Sequence, residues 1–215
     1  MKKTVKVCET FVSLQGETTR AGWPCFFIRL AGCNLRCQYC DTKYAWRAGR
    51  PCSVDKLAAD FKASRLPLAE VTGGEPLLQS GVYDLLKLLV KRGETLLETN
   101  GSVDIARVPE GVITILDIKC PGSGQADKNY WQNIRRLRPE DEVKFVLCGR
   151  KDYEWARQVI DKYRLTEHCH AVNFSPAAGF LKPQTLAAWI MRDCLRVRLN
   201  LQLHKIIWPK AVRGK

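Results

Sequence analysis

The chain has 215 residues, with 35 lysines and arginines against 22 aspartates and glutamates, for a formal net charge of +13. That length suits a single domain, 1–215, with a substantial core. Neither a secretory-type apolar run after Met1-Lys2-Lys3 nor any bilayer-length apolar stretch is present, so the expectation is a cytoplasmic protein with no membrane partner. The charge invites a polyanion, but Arg135-Arg136-Leu137-Arg138 and the tail Lys210 to Lys215 are short patches far apart in sequence. A solvated basic face is favoured over a nucleic-acid site.

Taken in chain order, runs rich in β-branched and aromatic residues predict strands at 6–14, 25–30, 69–72, 95–98, 112–118, 142–147, 171–174 and 197–202. Apolar positions at helical spacing predict helices at 54–63, 82–91, 127–137, 153–163 and 183–194, the last opened by Pro183 in a first-turn position. Strands alternating with helices give an α/β class with parallel strands, and such strands carry functional loops at their carboxyl ends. The polar motifs obey that rule. Cys33, Cys37 and Cys40 follow the second strand, Gly73-Gly74-Glu75-Pro76 the third, Asn100-Gly101 and Asp117-Ile118-Lys119 the next two, and Ser175-Pro176 another.

Ten cysteines in a reducing compartment are not expected to pair as disulfides. Seven of them (Cys8, Cys25, Cys52, Cys120, Cys148, Cys169 and Cys194) lack metal-ligand spacing, and most of these read as small core residues. The remaining three lie in Cys33-Asn-Leu-Arg-Cys37-Gln-Tyr-Cys40, with no histidine nearer in sequence than His168. An electron-carrying cluster is normally closed by four cysteines and structural zinc also takes four ligands, whereas three thiolates hold an iron-sulfur cube and leave one iron open to chemistry. Spacing C-x3-C-x2-C, with Tyr39 before the last cysteine and Asp41-Thr42 after it, resembles the radical S-adenosylmethionine enzymes. In that superfamily the open iron of a 4Fe-4S cluster is chelated by S-adenosylmethionine.

In Gly-Gly-Glu-Pro the two glycines allow close backbone approach to a ligand. Read by itself, the segment is equally a turn before a helix. Beside the cysteine trio it resembles the segment that holds the methionyl amino group, which implies Gly74 and Glu75 as cofactor contacts, Glu75 as neighbour of the ammonium. The same resemblance extends cofactor contacts to Tyr39, Asp41, Asp117, Ile118, Lys119 and Ser175.

Ser13-Leu14-Gln15-Gly16-Glu17, then Arg29, then Cys40-Asp41-Thr42 resemble the 7-carboxy-7-deazaguanine synthase family over nearly the whole chain. What this resemblance implies is an abbreviated, partial radical-enzyme βα barrel that acts as a homodimer. It implies conversion of 6-carboxy-5,6,7,8-tetrahydropterin to 7-carboxy-7-deazaguanine with loss of ammonia, on the queuosine pathway. Leu14, Gln15, Gly16 and Glu17 are then assigned to the pterin, Arg29 to its carboxylate as a bidentate partner, and Glu98, Thr72 and His204 to the same pocket. Thr42 is implied as a magnesium ligand, sensible only because Mg2+ keeps waters and borrows substrate oxygens. A flavodoxin-type electron donor follows from the family habit. Two other readings carry the same cysteines: an activase that places a glycyl radical on a large partner, and a noncatalytic iron-sulfur protein that binds tRNA.

Overall fold

A single alternation of residue type runs through the strands and decides what the sheet encloses. The structure, a computed structural model, describes residues 3–209, 213 and 214. Lys210, Ala211, Val212 and Lys215 of the basic tail therefore lie outside the described residues, as do Met1 and Lys2. The elements are β1 (Thr4–Leu14), β2 (Pro24–Leu30), β3 (Arg50–Ser53), α1 (Val54–Ser64), β4 (Leu68–Gly73), α2 (Val82–Leu89), β5 (Glu94–Thr99), β6 (Val112–Asp117), β7 (Glu142–Leu147), α3 (Arg150–Tyr163), α4 (Leu165–His168), β8 (Ala171–Pro176), α5 (Pro183–Arg192), β9 (Arg198–Leu199) and α6 (Leu203–Ile207). The nine strands make one sheet in the order β3-β1-β2-β4-β5-β6-β7-β8-β9. β1 runs antiparallel to β2 and β3, and every pairing from β2 to β9 is parallel. With β3 and β9 as free edges the sheet does not close, which makes it a partial barrel.

Successive strand residues face opposite sides of a sheet. On one side Phe26, Ile28, Leu30, Val71, Leu97, Val143, Phe145 and Phe174 join the main core with Leu57 and Phe61 of α1, Leu85 and Leu86 of α2, and Tyr153 of α3. Tyr153 sits edge-on to Phe174 at 5.8 Å and against Trp189 of α5 at 5.3 Å. Each such large apolar side chain contributes roughly 1.5–3 kcal/mol on burial. On the other side only Cys25, Phe27, Leu68, Leu96 and Ile115 form a small apolar cluster. Further toward the carboxyl ends the same inner face carries Glu70, Thr72, Glu98, Asp117 and Lys144, all of which line a cavity. The outer face holds the sheet to its helices, and the inner face holds the polar site.

Most expected elements occur, with shifts that have local causes. The expected strand 197–202 pairs with β8 only at Arg198–Leu199, because Asn200 makes one further backbone bond to Phe174 at 2.9 Å and then directs its side chain to Ser175 and Glu17. The expected helix 127–137 is instead two short 3-10 turns, Ala126–Lys128 and Trp131–Arg136. Asn129 binds the backbone of Lys119 and Ala126, and Asn133 binds Gly101, Val103 and Ile105, so side chains hold the segment as a loop. α3 starts at Arg150, three residues before its apolar periodicity begins at Tyr153. Sequence reading missed β3, whose Pro51 is tolerated because the strand is an edge, and the short helices α4 and α6.

Two sequence readings need correction at the level of packing. Of the seven scattered cysteines only Cys25 and Cys120 are buried, and Cys194 is exposed. In the Arg135–Arg138 patch, Arg136 pairs with Asp104, while Arg138 pairs with Asp141 and donates to the carbonyls of Pro109 and Val112. Those two cations are half-buried and paired, while Arg135 is exposed.

Candidate active site

The cavity, of about 420 Å³, opens at the carboxyl ends of the parallel strands. Cys33, Cys37 and Cys40 line it, and no other cysteine does so among the described residues. Their loop is held mainly by backbone bonds: Gly32 N–H to Ala45 at 2.8 Å, Glu75 N–H to Gly32 at 2.8 Å, and Gln38 N–H to Ser123 at 3.1 Å. Buried Leu35 anchors the turn, and its N–H donates to Cys33 Sγ at 3.4 Å. Gly74 is set so close to this loop that a Cβ there would lie 2.1 Å from the Gly32 carbonyl oxygen and 2.8 Å from Cys33 Cβ. Its missing side chain serves the cysteine loop itself, where the sequence suggested a ligand.

Among the described residues no three His, Cys, Asp or Glu converge as for a single metal ion. The three thiols instead line one cavity with no fourth cysteine among the described residues, a donor set that suits a multi-iron cube better than tetrahedral zinc. Burial pushes the Cys33 and Cys37 thiols up, so metal must drive their deprotonation.

Beside the cysteines lie Tyr39, Asp117 and Lys119. Asp117 Oδ2 accepts from Lys119 Nζ at 2.8 Å, while Asp117 Oδ1 and the Tyr39 hydroxyl are buried without a hydrogen-bond partner. Burial opposes the Lys119 charge, but Asp117 outweighs it and keeps the ammonium protonated. Two orphaned polar atoms on a cavity wall fit a polar cofactor such as S-adenosylmethionine.

Three expected cofactor contacts stand away from the wall. Glu75 is fully buried and accepts from Leu77 N–H at 3.0 Å, Thr99 Oγ1 at 2.8 Å and Asn100 N–H at 2.7 Å, tying the β4 loop to the end of β5. Burial still pushes its carboxyl up to about 7. Ile118 belongs to the outer core, and the Ser175 hydroxyl accepts from Asn200 Nδ2 at 2.9 Å. Asp41 and Thr42 do reach the cavity. Thr42 Oγ1 donates to Asp41 at 3.1 Å, and Asp41 pairs with Lys205 at 2.7 Å.

Another part of the cavity wall brings Leu14, Gln15, Gly16, Glu17, Arg29 and Thr72 together with Glu98 and His204. Arg29 is half-buried. Its Nε donates to Glu9 at 2.8 Å, and Tyr44 donates to the same oxygen at 2.8 Å. Phe11, stacked on Phe27 at 4.8 Å, underlies the guanidinium at 5.5 Å. A Cβ on Gly16 would lie 2.5 Å from His204 Nδ1, and Leu203 N–H donates to the Gly16 carbonyl at 2.9 Å. α6 thereby closes over the β1–β2 loop, and burial pushes the His204 imidazole down.

Sequence reasoning missed three polar residues of this wall, Glu70, Lys144 and Gln202, and Asn200, buried beside them. Gln15 Nε2 donates to Glu70, and Gln15 Oε1 accepts from Glu17 N–H at 2.9 Å, which fixes the carboxamide. Glu17 accepts from Gln202 at 2.9 Å, Asn200 at 3.3 Å and Lys144 at 3.1 Å. Lys144 also pairs with Glu98, which accepts from Thr72 at 3.0 Å. A signal for Glu70 and Lys144 was present, since each is a polar residue at an alternate position of a strand whose neighbours are apolar. Arg213 also lines the cavity, its guanidinium 4.4 Å from the Tyr44 ring.

The sequence profile described as the Radical SAM superfamily matches residues 27–117. The 7-carboxy-7-deazaguanine synthase of Chlorobaculum tepidum is 44% identical over 214 residues, covering 98% of this chain and 97% of the relative. That of Koribacter versatilis is 40% identical over 225 residues, covering 98% and 100%. The chain belongs to the 7-carboxy-7-deazaguanine synthase family. Among solved structures, QueE from Escherichia coli superposes with a TM-score of 0.75 at 22% identity, over 93% of this chain and 94% of that one. This likeness is one of fold. Family membership makes the chain a radical S-adenosylmethionine enzyme with a small-molecule substrate, and the activase and tRNA-binding readings are not favoured. No helix among the described residues is long and apolar enough to cross a membrane.

Proposed function

We infer that the chain converts 6-carboxy-5,6,7,8-tetrahydropterin to 7-carboxy-7-deazaguanine with loss of ammonia, within 7-deazapurine biosynthesis. The observation that carries this reading is the division of one cavity into a wall with three thiols and a wall with a half-buried arginine and an ordered row of amide and carboxylate acceptors. This 6-carboxypterin has a carboxylate at one end and an amidine-type N–H edge at the other. Arg29, already oriented by Glu9, takes the carboxylate. Gln15, Glu17 and Glu98 take the N–H edge, with Leu14, Gly16, Thr72 and His204 completing the pocket.

Cys33, Cys37 and Cys40 would hold the 4Fe-4S cluster, and Tyr39, Asp41, Gly74, Asp117 and Lys119 would surround S-adenosylmethionine. Glu75, Ile118 and Ser175 support that wall from behind. When bound, these groups supply the one-electron chemistry that removes hydrogen from the pterin. The protein's own part is to hold the substrate in one pose and keep water out. Thr42 offers a single hydroxyl, so a magnesium ion there would draw further oxygens from substrate and water. Exposed Arg36, Lys43 and Arg47 on the cysteine loop suit an acidic donor such as a flavodoxin. We place the enzyme in the cytoplasm as a one-domain protomer of a homodimer.

The test is anaerobic turnover of reconstituted enzyme with the pterin, S-adenosylmethionine, Mg2+ and a reductant, followed by mass spectrometry. Formation of 7-carboxy-7-deazaguanine is the expected result. Cofactor cleavage to 5′-deoxyadenosine without that product would reject the pterin while keeping the radical class.

A further inference from the structure

Lys144 sits mid-way along β7, where its neighbours Val143 and Phe145 belong to the outer core and its own side chain enters the inner face. The residue is 5% exposed. Register places it beside Asp117 of β6, and its ammonium lies 3.1 Å from Glu17 and 3.7 Å from Asp117 and pairs with Glu98. Glu17 comes from the β1–β2 loop and Glu98 from β5, far apart in sequence. One buried cation thus gathers three carboxylates that belong to three separate segments.

Burying so many charges is a poor way to stabilise a fold, because well-packed apolar residues of similar volume usually serve as well or better. A useful comparison stands in the same cavity. Glu70 is also a buried inner-face carboxyl, but it has no ion pair among the described residues. Burial, and then the charge of Glu98, push it up to about 8. Glu98 is only half-buried, and against the burial it does have Lys144 holds it below the usual carboxylate range. Two carboxylates brought close in a dry site share a proton unless a cation sits between them.

We propose that Lys144 is the positioning residue that fixes Glu17 and Glu98 as one pair of ionised acceptors, and that this pair selects ligands presenting an amidine-type N–H edge. A carboxylate offers acceptors only, whereas a protonated carboxyl turns one of its oxygens into a donor and mismatches an N–H edge. Thr72, Asn200 and Gln202 supply neutral donors that fix the remaining lone pairs, so the acceptor geometry is set before ligand arrives. The inference rests on the pterin reading for the identity of the ligand, while the role of Lys144 toward the two glutamates stands on the free protein.

The experiment compares reconstituted wild type with Lys144→Met, Lys144→Arg, Glu98→Gln and the Lys144→Met/Glu98→Gln double variant. Lys144→Met is expected to weaken equilibrium binding of 6-carboxy-5,6,7,8-tetrahydropterin on the order of 100-fold, with the loss in KM more than in kcat. Lys144→Arg should recover most of it. In the Glu98→Gln background the lysine change should add less than about 3-fold, because the two act as a unit. Infrared spectra of the ligand-free protein at neutral pH should show protonated-carboxyl absorption in Lys144→Met beyond the bands that Glu70 and Glu75 already give in wild type, and the Lys144→Met/Glu98→Gln double variant should lose that increase. If Lys144→Met does not fold, as judged by melting and iron content, the neutral Lys144→Gln takes its place in every arm. Unchanged binding, losses that multiply, or no increase in protonated-carboxyl absorption would each overturn the proposal. Failure of wild type to bind or turn over the pterin would overturn the reaction assigned above, and the infrared comparison would still decide the role of Lys144.

Discussion

The two walls of the cavity are built by opposite means. Around the cysteines the chain is tied by backbone hydrogen bonds and by a glycine wedged against a neighbouring peptide, so geometry there depends on main-chain shape. On the wall with Arg29 and Glu17 many contacts are between side chains from distant segments, from Gln15–Glu70 through Glu17–Lys144 to Gln202–Glu17. A loop that must grip a cluster is made rigid by backbone packing. A surface that must read a heterocycle is made from adjustable polar groups, each held by a second polar group. Damage to the first wall should therefore remove the cluster with all activity, and damage to the second should alter substrate dependence with the cluster in place.

The sharpest way to break this contrast is Gly74→Ala. The added methyl would meet the Gly32 carbonyl oxygen at 2.1 Å, and backbone cannot yield as a flexible side chain does. Overpacking of this kind costs about 1–3 kcal/mol, and the displaced Cys33 should lower iron content and abolish turnover. Full iron loading in the purified variant would show that the loop adapts, and that backbone packing is not what shapes this wall. Next in size is Arg29→Ala, which should raise KM for the pterin roughly 10- to 100-fold, the range for losing a charge-assisted hydrogen bond, with iron content unchanged. Normal substrate dependence would remove Arg29 from the carboxylate site. Gly16→Ala tests the same wall more gently: its methyl would press on His204 Nδ1, a side chain able to move. A loss on the order of 10-fold in kcat/KM is expected, and His204→Ala should lose nothing further when added to it. Multiplying losses would separate the two residues.

The same contrast explains what was legible in the sequence. Cys33, Cys37 and Cys40 lie within a short span, so their spacing drew attention to them, while Gly74 came only with the resemblance of its segment. The sheet was legible because its outer face is apolar at alternate positions, and strand ends such as 142–147 were placed where they occur. The direction of Glu75 was not legible because a motif states proximity to a site and not the direction of a side chain; here Thr99 and Asn100 donate to its carboxylate. Lys144 and Glu70 were passed over because each looks like a single polar interruption until register sets them on the inner face. The helix expected at 127–137 failed for a related reason. Asn129 and Asn133 replace helical backbone bonds with side-chain bonds that periodicity does not register.

The smallest effect concerns Glu70, the carboxyl of the second wall that has no ion pair among the described residues. In the folded protein burial pushes it up to about 8 from an ordinary 4.5, so the native state keeps a proton that the unfolded chain releases. Linkage then has a definite sign: between those two values the folded state binds more protons than the unfolded one, and stability falls as pH rises. Glu70→Gln keeps the size of the side chain and an oxygen for Gln15, but does not titrate. Its melting temperature relative to wild type should therefore climb from pH 5 to pH 8.5 and level off above that. Glu75, raised by burial to about 7, is present in both proteins and cancels in the difference. Parallel melting curves at both pH values would mean that Glu70 is ionised in the fold, with a cation reaching it after all. The second wall would then be one continuous ion-pair network, and Glu70 would no longer serve as the unpaired counterpart of Glu98.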